Sequence, residues 1–254
     1  MNKRKYYIAI PVIAAALAGC TPSTRIANIE RSRILIDSRY DNNTDTELTK
    51  FLAPYKQKVD SMMSPVAGRA AQHLQAGRPE SKLSNLLADI LIWGGKAFNE
   101  RPDFAVYNIG GIRASLAKGD ITYGNVLDVA PFENKICFVT MSGKDVMELF
   151  KQIATVGGEG ISHGINLKIT EKGTLNNATL NGKPINPDAS YRIATIDYLA
   201  QGNDNMEAFK KATNANMPEG ETNNVREIII NYMKEMTAKG MEINSEIEGR
   251  IVIE

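Results

Sequence analysis

An apolar β-type run, Phe104-Ala-Val-Tyr107, ends in Asn108-Ile-Gly110-Gly111, and Arg113 stands just beyond it. Paired glycines reach backbone shapes closed to other residues and leave amide N–H groups facing outward, where a ligand can meet them. The arginine offers a planar fork suited to a carboxylate or a phosphate. Taken alone, the stretch is a weak signal, since glycines that serve only a turn are common beside an arginine.

Nothing covalent inside the chain closes the fold around that turn. Beyond Cys20 the only cysteine is Cys137, which has no partner for an internal disulfide. The fold therefore rests on its core, and 254 residues at 43% apolar content suffice for one or two cores. Cys137 lies within Lys135-Ile-Cys-Phe-Val-Thr140, a buried-strand pattern in which a cysteine packs as a small apolar group. The formal net charge of +1 provides no field that would recruit nucleic acid.

Helical and strand signals alternate along the chain. Residues 21–45 are polar and read as a tether, with one short strand around Ile34–Ile36. Leu48, Phe51, Leu52, Tyr55 and Val59 recur at helical spacing, which predicts an amphipathic helix over Glu47–Met62. Val66–Leu74 reads as strand. Ser84 is placed to cap a helix through Leu86, Leu87, Ile90, Leu91, Trp93 and Phe98, ending near Gly94-Gly95 or a turn later. Ser142 is placed to cap another, carrying Val146, Leu149, Phe150 and Ile153. Gly157–Gly164 is a glycine-rich loop without the Gly-Lys-Ser/Thr ending of a phosphate-cradling loop. Asn181-Gly182 and Asn186-Pro187 mark the turns of a hairpin. Tyr191–Ile196 is a strand delivering Asp197-Tyr198, Thr222–Met236 a helix, and Ile251–Ile253 a closing strand. The alternation predicts an α+β fold, an α/β-type mixed sheet covered by helices, in one compact domain over 47–254.

The head of the chain is an export signal. Lys3, Arg4 and Lys5 precede an apolar run, Tyr6–Leu17, too short to span a bilayer. Leu17-Ala18-Gly19-Cys20 resembles a bacterial lipobox, so residues 1–19 read as a signal peptide, Cys20 as the lipidated first residue and 20–46 as the tether. Removing three positive charges takes the net charge from +1 to −2. The expected place is a bacterial cell envelope, lipid-anchored, facing the periplasm or in the outer membrane.

The longer pattern is specific. Asn108-x-Gly-Gly-Ile-Arg113, Gly119-Asp-Ile-Thr-Tyr123, Ala130-Pro-Phe132-x-Asn134, Ser142-Gly-Lys144 and the Tyr198–Asp204 loop follow one another in an order that resembles the C-terminal domain of the 5′-nucleotidases. The resemblance runs from about Phe51 to Glu254. It implies a domain that binds a nucleotide or nucleoside, with the base between two aromatics at Phe132 and Tyr198. It also implies a carboxylate, Asp204, that accepts from ribose hydroxyls; Asn108, Gly110, Gly111 and Arg113 fall where the base or phosphate end is met. Arg78 is the nearest match to a phosphate-contacting arginine, although Pro79 intervenes. Two departures stand out: Ser84 replaces a usual Gly, and Gly202-Asn-Asp-Asn-Met206 replaces Gly-Gly-Asp-Gly-Tyr.

Complete enzymes of this kind hydrolyse phosphate esters at a dimetal centre on a separate N-terminal domain, which clustered His, Asp and Asn ligands build. Here His73 and His163 are the only histidines, and neither sits in such a cluster. The resemblance therefore implies no catalytic residues and no cofactor in this chain, with divalent metals on a separate metallophosphoesterase partner. A nucleotide-binding lipoprotein for capture or sensing, and an envelope domain that has lost its ligand, are the alternatives.

Overall fold

The computed structural model describes residues 28–40 and 45–254; the expected signal peptide, Cys20 and residues 41–44 lie outside them. The chain divides into two units, Met1–Phe51 and Leu52–Glu254. In the first, Ser38–Tyr40 forms a 3-10 turn and no strand forms at Ile34–Ile36, where the apolar side chains are exposed. A strand exists only in a ladder, and among the described residues no segment pairs with this one. The helix α1 (Thr46–Met63) begins where Asp45 accepts from the Glu47 and Leu48 N–H groups, both at 3.0 Å. It has the expected extent, but none of its side chains is buried.

The second unit follows with β1 (Val66–Ala70), α2 (Lys82–Gly94), β2 (Phe104–Tyr107), β3 (Gly119–Thr122), α3 (Tyr123–Val129), β4 (Ile136–Ser142) and α4 (Gly143–Thr155). Then come β5 (Gly160–Ile161), β6 (Ile165–Ile169), β7 (Leu175–Leu180), β8 (Lys183–Pro184), β9 (Ser190–Ile196) and α5 (Asp197–Ala200). β10 (Thr213–Asn216), α6 (Val225–Ala238) and β11 (Ile251–Ile253) complete it. Three sheets result: β1-β3, the five-stranded β10-β4-β9-β2-β5, and the four-stranded β11-β6-β7-β8. Two pairings, β2 with β9 and β11 with β6, are parallel; the others are antiparallel.

Local chemistry explains most boundaries. Asn181 and Gly182 take φ of 50° and 73°, the left-handed pair that closes β7 onto β8 in a two-residue hairpin. Ser142 caps α4 as expected, accepting from Asp145 N at 3.2 Å. The cap of α2 is Ser81 rather than Ser84: Ser81 holds extended backbone, and its hydroxyl accepts from Ser84 N at 3.3 Å. Ser84 is three residues inside the helix and fully buried. The last helix starts later than Thr222, at Val225, because Asn224 is its cap and accepts from Arg226 N at 3.0 Å. The strand expected over Val66–Leu74 ends at Ala70, and Leu74 makes only an isolated bridge to Leu116.

The core fills the faces of the five-stranded sheet. Phe104, Val106, Ile136, Phe138, Ile193 and Ile196 are completely buried, with α2 packed on β2 and β5 and α4 on β4 and β9. Cys137 is buried among them, and burial pushes its thiol up to about 11. Among the described residues two charged side chains are buried, Glu159 and Arg250. Arg250, 2% exposed, donates to both carboxylate oxygens of Asp89 at 2.9 and 2.7 Å, to Glu248 at 3.0 Å and to the Ile161 carbonyl at 2.7 Å. It thereby joins α2, β5 and β11. Asp89 and Glu248 are 37% and 38% exposed and keep their water when Arg250 is removed, so the cost falls on the buried Ile161 carbonyl that loses its donor. Arg250→Ala should lower unfolding stability by about 1–3 kcal/mol, read from urea denaturation; no measurable loss would show that the contact carries no structural weight.

Candidate functional site

Strand direction brings the site together. Because β2 runs parallel to β9, with Phe104 opposite Ile193 and Ala105 opposite Ala194, the residues following both strands emerge at one end of the sheet. The antiparallel β4, with Ile136 opposite Ile196, starts at that same end. Asn108–Gly111 after β2, Phe132–Lys135 before β4 and Tyr198 in α5 therefore converge. They line a cavity of about 280 Å³ formed by Asn108, Gly110, Gly111, Phe132, Asn134, Tyr198 and Asp204. Phe132 is 51% exposed and Tyr198 38%, an unusual amount of ring surface left in water.

Asp204 is the hub of the polar contacts. Its Oδ2 accepts from Asn108 Nδ2 and its Oδ1 from the Tyr198 hydroxyl, both at 2.9 Å. Asp204 and Asn205 hold φ of 53° and 62°, left-handed shapes that Asp and Asn tolerate better than most residues. Asn203 Nδ2 donates to the Tyr198 carbonyl at 2.8 Å, so this loop folds back on the helix that carries the ring. The Tyr198 hydroxyl is raised above its ordinary value, mainly by its bond to Asp204: ionising it would set two negative charges side by side.

Asn108 is 4% exposed, and its amide is oriented by Asp204, which as a carboxylate only accepts. Its Oδ1 is buried and has no partner. That oxygen sits against Gly111, where a Cβ would lie 2.6 Å from it, so a larger residue there would displace the Asn108 amide. The same loop is held from behind by Glu159, whose buried carboxylate accepts from Ile109 N–H and pairs with Arg78. Burial raises the Glu159 carboxyl and the nearby Asp204 charge adds to this, against the lowering pull of Ile109 N–H and Arg78.

The alternate residues of the Phe132–Lys135 segment, Glu133 and Lys135, line a separate hollow of about 620 Å³ with Asn223, Asn224, Glu227 and Asn231. It has no aromatic wall. Among the described residues no group of three or more His, Cys, Asp or Glu is placed to hold a metal ion. His163 Nδ1 instead lies 2.8 Å from a Glu248 oxygen. The described residues do not fit a dimetal centre. Among the described residues no helix is long and apolar enough to cross a membrane.

The family model described as 5′-nucleotidase, C-terminal domain, matches residues 63–211. The chain belongs to this family.

Protein UshA of Escherichia coli K12 is 30% identical over 161 residues, 62% of this chain and 29% of that protein. The 5′-nucleotidase of Vibrio cholerae is 29% identical over 181 residues, 70% of this chain and 32% of that one. Among solved structures, the 5′-nucleotidase precursor of Thermus thermophilus superposes with a TM-score of 0.70 at 25% identity, covering 82% of this chain and 43% of that chain. The chain thus spans roughly three tenths of the length of these two curated relatives. The mixed sheets and covering helices are those of a 5′-nucleotidase C-terminal domain.

Of the residues singled out by family resemblance, Asn108, Gly110, Gly111, Phe132, Tyr198 and Asp204 share the cavity, whereas Arg113 and Arg78 do not line it. Arg113 is exposed, and its Nη1 donates to the Gly110 carbonyl at 3.1 Å, at the rim. Arg78 is turned toward Gly158, whose carbonyl accepts from its Nε at 2.8 Å, and toward Glu159. Asn134 and Glu159 are not among the residues so singled out. Asn134 has a signal, since two positions along an extended segment returns to the side of Phe132. Glu159 has none, lying in a glycine-rich loop with no recognisable ending.

The Tyr198–Asp204 bond gives a direct check. Asp204→Asn removes the neighbouring charge, so the Tyr198 hydroxyl should ionise at lower pH than in the native protein. Alkaline titration of ¹³C-labelled tyrosine, with Tyr198→Phe used for assignment, reads this; an unchanged titration would mean that the bond does not form in solution.

Proposed function

We propose that this chain is the nucleotide- or nucleoside-binding module of a 5′-nucleotidase. The observation that carries it is the pair of half-exposed aromatics, Phe132 and Tyr198, on one cavity with an acceptor-only carboxylate between Tyr198 and Asn108. A base offers a π-face to each ring, and stacking on one ring is worth about 1–3 kcal/mol. A vicinal diol offers two donors to a carboxylate whose oxygens each keep a lone pair beyond the bonds already made. Asn108, Asn134 and Asp204 add polar lining to the two rings. Arg113, held at Gly110, offers the planar fork that a phosphate end would require.

Calorimetry with adenosine, uridine and their 5′-monophosphates tests this. Phe132→Ala should weaken all four by about 1–3 kcal/mol, and Arg113→Ala should weaken the monophosphates more than the nucleosides. No binding of any of them to the native protein would end the nucleotide reading.

Hydrolysis, on this reading, belongs to a separately encoded metallophosphoesterase, and Cys20 carries the lipid that keeps the module at the envelope. An envelope location agrees with a relative named Cell wall protein Lmo0130 of Listeria monocytogenes, 31% identical over 188 residues, which are 68% of this chain and 24% of that protein. The absence of a fitting metal cluster among the described residues equally suits a module used for capture or sensing. The full-length protein, extracted from its own membranes with detergent, should carry a metal-dependent nucleotidase activity that the same chain produced alone lacks. Cys20→Ser should move it to the soluble fraction. Turnover by the lone chain overturns the division of labour, extraction without activity favours capture or sensing, and a Cys20→Ser protein that still pellets in high salt overturns the anchor.

A further inference from the structure

We infer that Glu159 is the positioning residue of the Asn108–Gly111 loop, and that Arg78 serves the site by holding Glu159 rather than by touching the ligand. This rests on the nucleotide-binding reading above for its functional consequence, though not for its geometry.

The contacts of Glu159 carry it. Its side chain is completely shielded from water while its partner Arg78 is 38% exposed. One carboxylate oxygen accepts from Ile109 N–H, the first residue of the 3-10 turn that contains Gly110 and Gly111. The other is engaged by Arg78, whose Nε also donates to the Gly158 carbonyl at 2.8 Å. Tyr107 pairs with Gly160 across β2 and β5, which sets the Glu159 backbone opposite the start of the loop. The backbone around Glu159 has no slack. Gly158 holds φ of 112°, and a Cβ there would overlap the Pro79 carbonyl; at Gly160 a Cβ would lie 2.9 Å from the Tyr107 carbonyl. The strand pairing and the Pro79 contact therefore aim the carboxylate at Ile109.

Consecutive residues of the loop are thus tied to two different carboxylates, Asn108 to Asp204 and Ile109 to Glu159. A buried ion pair adds little to stability compared with apolar packing of the same volume, since desolvation offsets its attraction. What it does provide is direction. A carboxylate accepts on both oxygens, so it meets a backbone N–H on one side and a guanidinium on the other without leaving either unpaired. With Ile109 released, the Asn108 amide and the Gly110–Gly111 backbone would no longer be presented to the cavity in one arrangement.

Glu159→Gln tests this because an amide keeps the shape but accepts on one atom only, so either Ile109 N–H or Arg78 must face an N–H. Two readouts are taken on the full chain: hydrogen exchange at the Ile109 amide, and calorimetric affinity for adenosine and uridine. Exchange at Ile109 should accelerate while the centre of β4 and β9 stays protected, and the dissociation constants should rise roughly ten- to hundredfold. Arg78→Ala should move both readouts in the same direction. The double variant Arg78→Gln/Glu159→Gln should recover much of the loss, because the two introduced amides pair with each other and leave a carbonyl oxygen facing Ile109 N–H. Should Glu159→Gln not fold, Arg78→Ala supplies both measurements from the exposed end of the pair. Unchanged exchange at Ile109 in the folded variants, or faster exchange with unchanged affinity, overturns the inference. Native protein that binds neither nucleoside overturns the functional reading instead, and the exchange result then decides whether Glu159 holds the loop.

Discussion

The parallel pairing of Phe104–Tyr107 with Ser190–Ile196 is the constraint on which the cavity depends. The first of these strands ends at Tyr107 and the second begins at Ser190, and only their parallel register brings the ends of both to the same end of the sheet. Had β2 run antiparallel to β9, the glycine turn and Tyr198 would stand at opposite ends of the sheet, about a strand length apart. β4 adds its N-terminal end by antiparallel pairing, and with it Phe132 and Asn134. The core residues Phe104, Ile193 and Phe138 hold that register, because a slip of one residue would turn them to the opposite face.

Charge is used sparingly and in places where geometry must be single-valued. Arg250 locks β11 and β5 to α2 from the interior. Arg192 grips Glu100 with its fork, holding that carboxyl below the usual range, and also reaches the Asn214 carbonyl at 2.6 Å, so the start of β9 is tied to β10. Glu159 and Asp204 grip neighbouring residues of the glycine turn. Each of these groups joins elements distant in the chain, and each is a fork or a carboxylate that satisfies two partners at once.

Much of the architecture was legible because it is local. Helical spacing at Val146, Leu149, Phe150 and Ile153 needs no knowledge of the sheet, and Asn181-Gly182 names its own turn through the left-handed shapes it permits. Where reading failed, a competing residue lay within a few positions. Ser81 and Ser84 are both cap chemistry, and the extended backbone of Ser81, whose hydroxyl accepts from Ser84 N, decided between them. Ile34–Ile36 has the composition of a strand, but a strand is a property of two segments, and composition describes only one.

By itself the sequence determined the family, the longer helices and the central strands and the burial of Cys137, and it named Phe132, Tyr198 and Asp204, which share one cavity, since these follow from short motifs and local periodicity. Only the tertiary structure decided that Asp204 is held by Asn108 and Tyr198, that Arg78 is turned away from the cavity onto Glu159, and that Glu159 reaches the Ile109 amide. The physical reason is range. Backbone preference and side-chain period act over a few residues, whereas a hydrogen bond between positions 50 or 96 apart exists only once strand pairing has brought them together.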